Sequence, residues 1–368
     1  MSVESHPSIP ELQRRTCDRS LADKIAFLQR ADSYCPPVPE VVSRETHMSL
    51  VFLAGDRVYK LKKPVRFPYL DFSTLERREA ACRAELKLNQ RLAADTYRQV
   101  VPLVHSKHGL AIGGDGKIVD WLVVMNRLDE RQMLDRAIAD GRLHRCQLDR
   151  VAETLVRFYR GARAVPISPA VYAADFWRSL SYNRRVLLDP RFHLPAGLVC
   201  AIEAIQRRFL SEASEVLAER VRRRHIVDGH GDLRPEHIWL GDPVRIIDCL
   251  EFNAHLRMVD PIDEIAFLCL ECERLGASWA SEHLRRRIMR ALRGANFELF
   301  IFYRCHRAML RTRLAIAHLL ELDPRLPEKW PALARCYLRL AAADAVRLER
   351  ALKKPRDHQA DRRHEGGG

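Results

Sequence analysis

The sequence predicts an α+β chain of two lobes, the first strand-rich and the second mainly helical. Three observations carry this: alternating apolar residues flank turn dipeptides between residues 49 and 125, helical periodicity dominates from Gln147 onward, and one strand-like interruption follows at residues 226–250. At 368 residues and 47% hydrophobic, the chain can bury a sizeable core, which excludes a disordered polymer.

Residues 1–40 read as an N-terminal extension, a helix stopped at "CPPVPE", where Pro36, Pro37 and Pro39 cannot continue it. The first lobe spans 41–128. In it "SLVFLAGDRVYKLKK" gives two strands around Gly55-Asp56. "STLERREAACRAELKLNQRLA" gives a helix, with Ser73 and Glu76 as a capping box. "VVPLV" and "IVDWLVVM" form a second hairpin around Gly113-Gly114-Asp115-Gly116, ending at Met125, before a hinge over Met125 to Leu128. The second lobe spans 129–352. "LDRVAETLVRFYRGA" and the stretch from Ala196 to Arg224 are helical, "HIWL" and "VRIID" are short strands joined at Gly241-Asp242-Pro243, and further helices run to Leu352. Residues 353–368 form a polar tail, predicted to be disordered.

Composition narrows the function class. No charge-free apolar run approaches a membrane span, and "MSVESHPSIPELQRR" lacks the apolar core of a secretion signal, so the expected location is the cytoplasm. Ten scattered cysteines read as buried thiols, with the isolated CxxC of Cys269 and Cys272 as helix packing. Lys plus Arg number 62 against 48 acids, a net charge of +14 that favours an anionic ligand. The charge is interspersed with acids and lacks interleaved aromatics, which argues against a nucleic-acid partner.

The chemistry-bearing residues lie in both lobes. Asp232, in "HGDL", and Asp248, in "IIDCLEF", sit on opposite arms of a hairpin-like unit that can bring two carboxylates to one cleft. Phosphoryl transfer needs little more from acids: one carboxylate orients or deprotonates the attacking hydroxyl, and another holds magnesium on the nucleotide phosphates. Taken singly, Asp232 reads better as a turn residue and Asp248 as a strand terminator; together with the first lobe they read as a site. The first lobe adds a cation for the phosphates, since "RVYKLKK" puts Lys60 and Lys62 on one strand face. Val58, two residues before Lys60, matches the apolar roof of the pattern V-A-I-K, which selects Lys60. A helix acid must hold that lysine; Glu79 and Glu85 flank the apolar stripe on different sides, and periodicity does not choose between them.

These stretches resemble the aminoglycoside phosphotransferase family of the protein-kinase-like fold, and most of all a bacterial subgroup of aminoglycoside phosphotransferase family enzymes. The resemblance covers residues 40–320 and rests on "ETHMSLVFLAGDRVYKLKKPVRFPYLDFSTLERR", "CRAELKLNQRLAADTYRQVVPL", "GHGDL" and "IDCLEFNAHLRMVDPIDEIAFL". It implies ATP as phosphate donor, with magnesium or manganese, and a small-molecule hydroxyl as acceptor. By the resemblance Lys60 is the phosphate lysine and Glu85 its partner, and Thr46, His47 and Ser49 lie where a glycine-rich loop would cover the phosphates. Met125 leads to the adenine hinge, Asp232 is the loop aspartate, Asp248 is the magnesium ligand, and Glu251 assists near the metal. Arg257, Asp260 and Asp263 would tie the loop after the metal site to the next helix.

Two departures stand out. Phe158-Tyr159 replaces a region where the subgroup often has histidine, a change expected to alter packing more than chemistry. His237 takes the place of an asparagine that the family uses for magnesium, an ion that prefers oxygen ligands. His237 therefore also supports a second reading, a nucleotide-binding pseudokinase or scaffold protein. A third, a zinc hydrolase using His225, His230, His237 and Asp248, fits no compact helix-borne motif. Asp263, Glu264, Glu271 and Glu273 are the acids available for a cationic acceptor, although a hydroxylated metabolite or sugar derivative is the broader expectation.

Overall fold

The computed structural model describes residues 20–67, 69–292, 294–320 and 327–353. The first 19 residues of the predicted extension, and the polar tail after residue 353, lie outside them. The chain divides into two compact units, one running through Leu86 and including Tyr97–Arg127, the other comprising Lys87–Thr96 and the chain from Leu128 on. The architecture is α+β, strand-rich in the first unit and helical in the second, as the sequence predicts. Among the described residues no helix is long and apolar enough to cross a membrane.

In the first unit, α1 (Leu21–Leu28) starts at a reciprocal cap. The Ser20 hydroxyl accepts the Asp23 N–H at 3.1 Å, and the Asp23 carboxylate accepts the Ser20 N–H at 3.2 Å. Strands β1 (Val41–Glu45), β2 (Ser49–Ala54) and β3 (Arg57–Lys62) follow, then the two-residue pair β4 (Arg66–Phe67) and β5 (Leu70–Asp71). Next come helix α2 (Leu75–Ala93), β6 (Tyr97–Ser106), β7 (Gly109–Ile112) and β8 (Lys117–Asn126). The six-stranded sheet has the order β1-β2-β3-β8-β6-β7, every neighbour antiparallel. Leu28, Phe52, Leu61, Leu103 and Leu122 fill its core. Because side chains alternate along a strand, burying Leu61 sends Lys60 and Lys62 to the opposite face of β3.

Two local expectations are corrected here. The cap of α2 is Thr74, whose hydroxyl accepts the Arg77 N–H, because Ser73 is already held by the Asp71 carboxylate at 2.6 Å. The second hairpin gains a strand, β7, paired to β6 through Leu103–Ile112. Four residues of "GLAI" are too short to register as a period.

The second unit contains α3 (Leu134–Ala139), α4 (Arg145–Gly161), α5 (Pro169–Leu187), α6 (Ala196–Glu212) and α7 (Ser214–Arg222). Short strands come next, β9 (Val227–Asp228), β10 (Ile238–Trp239), β11 (Arg245–Ile246) and β12 (Met258–Val259), with β9 pairing β12 and β10 pairing β11. Helices α8 (Pro261–Arg274), α9 (Ser278–Ala291), α10 (Phe297–Ala317) and α11 (Lys329–Leu352) complete it. Helix α8 is the axis of this unit, for every residue from Pro261 to Cys272 is buried. It starts where Asp260 accepts the Ile262 N–H at 2.9 Å and proline occupies the first turn. Asp260 also takes both arms of Arg220, at 2.6 and 2.7 Å, with both residues buried. Cys269 and Cys272 are buried within α8, where burial pushes the Cys269 thiol up to about 12.

Candidate active site

In the first unit β3 carries the cations. The Lys60 ammonium donates to Glu85 Oε1 at 2.8 Å, and the Lys62 ammonium donates to Glu85 Oε2 at 2.6 Å. One buried carboxylate therefore holds both lysines; Lys60 keeps 14% of its side-chain surface and Lys62 none. Glu79, the other helix acid, pairs instead with Arg83 at 2.7 Å. Val58 lies opposite Met125 in the β3–β8 register. Thr46 and Ser49 close the turn between β1 and β2: the Thr46 hydroxyl accepts the Ser49 N–H at 2.9 Å, and His47 stacks on Phe67 with ring centroids 4.6 Å apart.

In the second unit the loop Gly229–Asp232 is built on two glycines. Gly231 has φ +89°, a left-handed conformation that side chains resist, and a Cβ on Gly229 would meet Val259 at 2.4 Å. The freed amides go to a buried carboxylate rather than to a strand: Glu264 accepts the N–H groups of His230, at 3.0 Å, and of Gly231. Tyr159 donates its hydroxyl to the same carboxylate at 2.9 Å, so the Phe158-Tyr159 pair bears on the loop and not only on packing. The last turn of α2 grips the flanks. Arg91 donates to the Gly229 carbonyl at 2.8 Å, and Asn89 accepts the Cys249 N–H at 2.8 Å.

His230 is fully internal to this frame. Its Nε2–H donates to the Ile247 carbonyl at 2.9 Å while Nδ1 accepts the Asp232 N–H at 3.3 Å. Burial first, and His237 second, lower its pKa to about 4; burial takes that of His306 in α10 to about 3. Both pKa values lie below the unfolded value, so these groups stabilise the fold above about pH 6.5 and lose that contribution as pH falls toward the folded values. Two histidine ring resonances should stay unshifted from pH 7.5 to 5 in an NMR titration, and titration of either ring near pH 6.5 would contradict its burial.

His237 stands between the two aspartates. Its Nδ1 lies 2.9 Å from the Asp232 carbonyl, to which it donates, and 3.9 Å from Asp232 Oδ2. Its Nε2 faces Asp248 Oδ2 at 3.6 Å. Donation from Nδ1 leaves a lone pair on Nε2, opposite a carboxylate oxygen, and a cation is what reconciles two such acceptors. Arg234 supplies part of that charge, with Nη2 at 3.2 Å from the His237 Nε2 and Nε at 3.0 Å from Asp232 Oδ2. Asp248 has φ +62° and half of its side chain exposed. Magnesium keeps several waters and takes one or two carboxylates plus phosphates, so the Asp248 carboxylate fits as its protein ligand, with His237 beside it. Among the described residues no group of three or more His, Cys, Asp or Glu is arranged to hold a metal by itself. Glu251 is partly buried in the irregular segment after Asp248.

The acids considered for a cationic acceptor are committed internally. Asp263 pairs with Arg307 through both oxygens at 2.8 and 2.6 Å, Glu271 with Arg274 at 2.6 Å and Glu273 with Arg304 at 2.5 Å, while Glu264 holds the loop. Arg257 ties Asp228 to the Leu250 carbonyl, at 2.8 and 2.7 Å. Sequence reasoning weighed Glu264 only as an acid for a cationic acceptor and not as the holder of the loop, and it did not single out Arg234. Glu264 sits on a helix buried all round, where no amphipathic contrast marks it, and the one available sign of Arg234 was its place two residues after Asp232.

A strand-rich unit with a lysine–glutamate pair, followed by a helical unit with a His-Gly-Asp loop, is the two-lobed α+β architecture of the protein-kinase-like fold. Comparison bears out that fold. The chain is similar to a choline/ethanolamine kinase family protein from Mesorhizobium loti, at TM-score 0.52 and 17% identity over 88% of this chain and 98% of that one. It is also similar to a GDP complex of a variant aminoglycoside 2′-phosphotransferase-IIIa, at TM-score 0.55 and 12% identity over 88% of this chain and 98% of that one. In sequence it is 34% identical over 316 residues to the uncharacterized protein Rv2004c of Mycobacterium tuberculosis (strain ATCC 25618 / H37Rv), a match that takes in 84% of this chain. The chain spans 58% of the length of that relative. No family model matches.

Proposed function

We propose that this chain is an ATP-dependent phosphotransferase of the cytoplasm, within the bacterial subgroup of aminoglycoside phosphotransferase family enzymes, moving the γ-phosphate to a hydroxyl of a small molecule. The observation that carries the reading is the pair of carboxylates, Asp232 and Asp248, facing the two nitrogens of one imidazole. Asp232 orients or deprotonates the acceptor hydroxyl. Asp248 holds magnesium, which when bound neutralises phosphate charge; His237 and Glu251 support it. Lys60, positioned by Glu85, meets the donor phosphates, the Thr46–His47–Ser49 turn covers them, and Val58 with Met125 borders the adenine. The acceptor is a hydroxylated metabolite rather than a polycation, since the acids suited to a polycation are spent on arginines and, for Glu264, on the loop amides.

Calorimetry with ATP and magnesium tests the donor side. Lys60→Ala should weaken nucleotide binding by at least about tenfold, with thermal unfolding unchanged because Lys62 still neutralises Glu85. Equal affinity in both proteins would remove Lys60 from the site. His237 is tested through the metal. Compared with His237→Asn, the wild type should favour manganese over magnesium more strongly and lose metal more readily in acid, because a protonated imidazole cannot bind metal. Identical metal preference and pH dependence would reduce His237 to a hydrogen-bonding residue. A nucleotide-binding scaffold is the second reading, favoured by Arg234 occupying Asp232. Wild-type protein that moves no γ-phosphate to any of a broad panel of hydroxylated metabolites, in magnesium or manganese, would establish it.

A further inference from the structure

A cavity of about 720 Å³, lined by neither Asp232 nor Asp248, opens in the second unit between the last turn of α2, helix α4 and the β11 segment. Its size falls in the range of small-ligand sites, roughly 300–1,000 Å³. Leu92, Phe158 and Val244 give it an apolar floor, and Arg91, Arg157, Arg163 and Arg245 stand around it. Two lining carboxylates oppose these four cations, and both are already engaged. Asp95 is paired with Arg245 at 2.7 Å, and Asp228 lies 2.8 Å from Arg257 and 3.4 Å from Arg91. Arg157 and Arg163 have no carboxylate partner among the described residues, and both are exposed. Four guanidiniums against two carboxylates leave an excess of two positive charges. Isolated surface arginines are ordinary on so basic a chain. Four lining one cavity with apolar walls are a different arrangement, because each added like charge raises the electrostatic energy until an anion relieves it.

We infer that this cavity binds an organic anion, a doubly charged head on an apolar body such as an aryl or acyl phosphate. The head meets Arg157 and Arg163, and the body lies against Phe158 and Val244. Phe158 already carries the Arg91 guanidinium over its ring at 5.1 Å, so the same surface suits a flat apolar group flanked by cations. The site also touches the loop through one residue. Arg91 lines the cavity and donates to the carbonyls of Asp228 and Gly229, both at 2.8 Å, immediately before His230.

Calorimetry with phenyl phosphate, without ATP or metal, tests this site separately from the phosphotransfer reading. Saturable binding is expected, with inorganic phosphate weaker because it lacks the apolar body. Arg157→Glu/Arg163→Glu should weaken phenyl phosphate binding by at least about tenfold. Thermal unfolding should be unchanged, since both side chains are exposed and unpaired. No binding at millimolar phenyl phosphate, or equal affinity in wild type and double variant, would overturn the assignment. Inorganic phosphate binding as tightly as phenyl phosphate would also overturn it.

Discussion

Asp232→Asn should unfold at the wild-type temperature and bind nucleotide with wild-type affinity, yet transfer phosphate at least about a hundredfold more slowly, the usual worth of a positioned acid or base. The carboxylate is available for that role because it stays ionised. Burial would raise its pKa, but Arg234, then His237 and Arg311, outweigh burial and hold it below the ordinary aspartate value. Folding should not suffer, since Arg234 keeps Glu236 at 2.6 Å when the Asp232 charge is removed. Single-turnover measurement with excess enzyme separates the chemical step from product release. Turnover in Asp232→Asn close to wild type would take this residue out of the reaction.

The largest stability effect belongs to a residue remote from the chemistry. Asp260→Ala should lose about 3–5 kcal/mol, because it leaves the Arg220 guanidinium buried without its partner and removes the cap of α8. Urea unfolding should show a lower midpoint with unchanged slope. Glu212→Ala, which removes the solvent-exposed pair with Arg208, is the control and should leave the midpoint in place. A small shift for Asp260→Ala would mean that water reaches Arg220 in the native state.

The elements legible in the sequence were those with long, regular periods. β2, β3, α2 and β8 each carry one, and the shared face of Lys60 and Lys62 follows from alternation alone. The choice between Glu79 and Glu85 was not legible, because both flank the apolar stripe of α2; the folded chain buries Glu85 and leaves Glu79 to Arg83. Position 237 raised the question of metal, but its placement between two aspartates depends on how β10 and β11 pair across the Gly241 turn. The Glu264 clamp was hidden for another reason. Its partners are backbone amides, which every sequence offers at every position.

The shared carboxylate of Glu85 bears on descent. A lineage that loses Lys60 keeps Glu85 neutralised by Lys62, so drift at that position removes the more exposed of the two β3 cations without removing the fold. A lineage that loses Glu85 takes from both ammonium groups the carboxylate they share, and one of them is wholly buried. Descendants that abandon the proposed phosphotransfer should therefore be recognisable by a replaced lysine beside a retained glutamate, and the reverse order of loss should be rare.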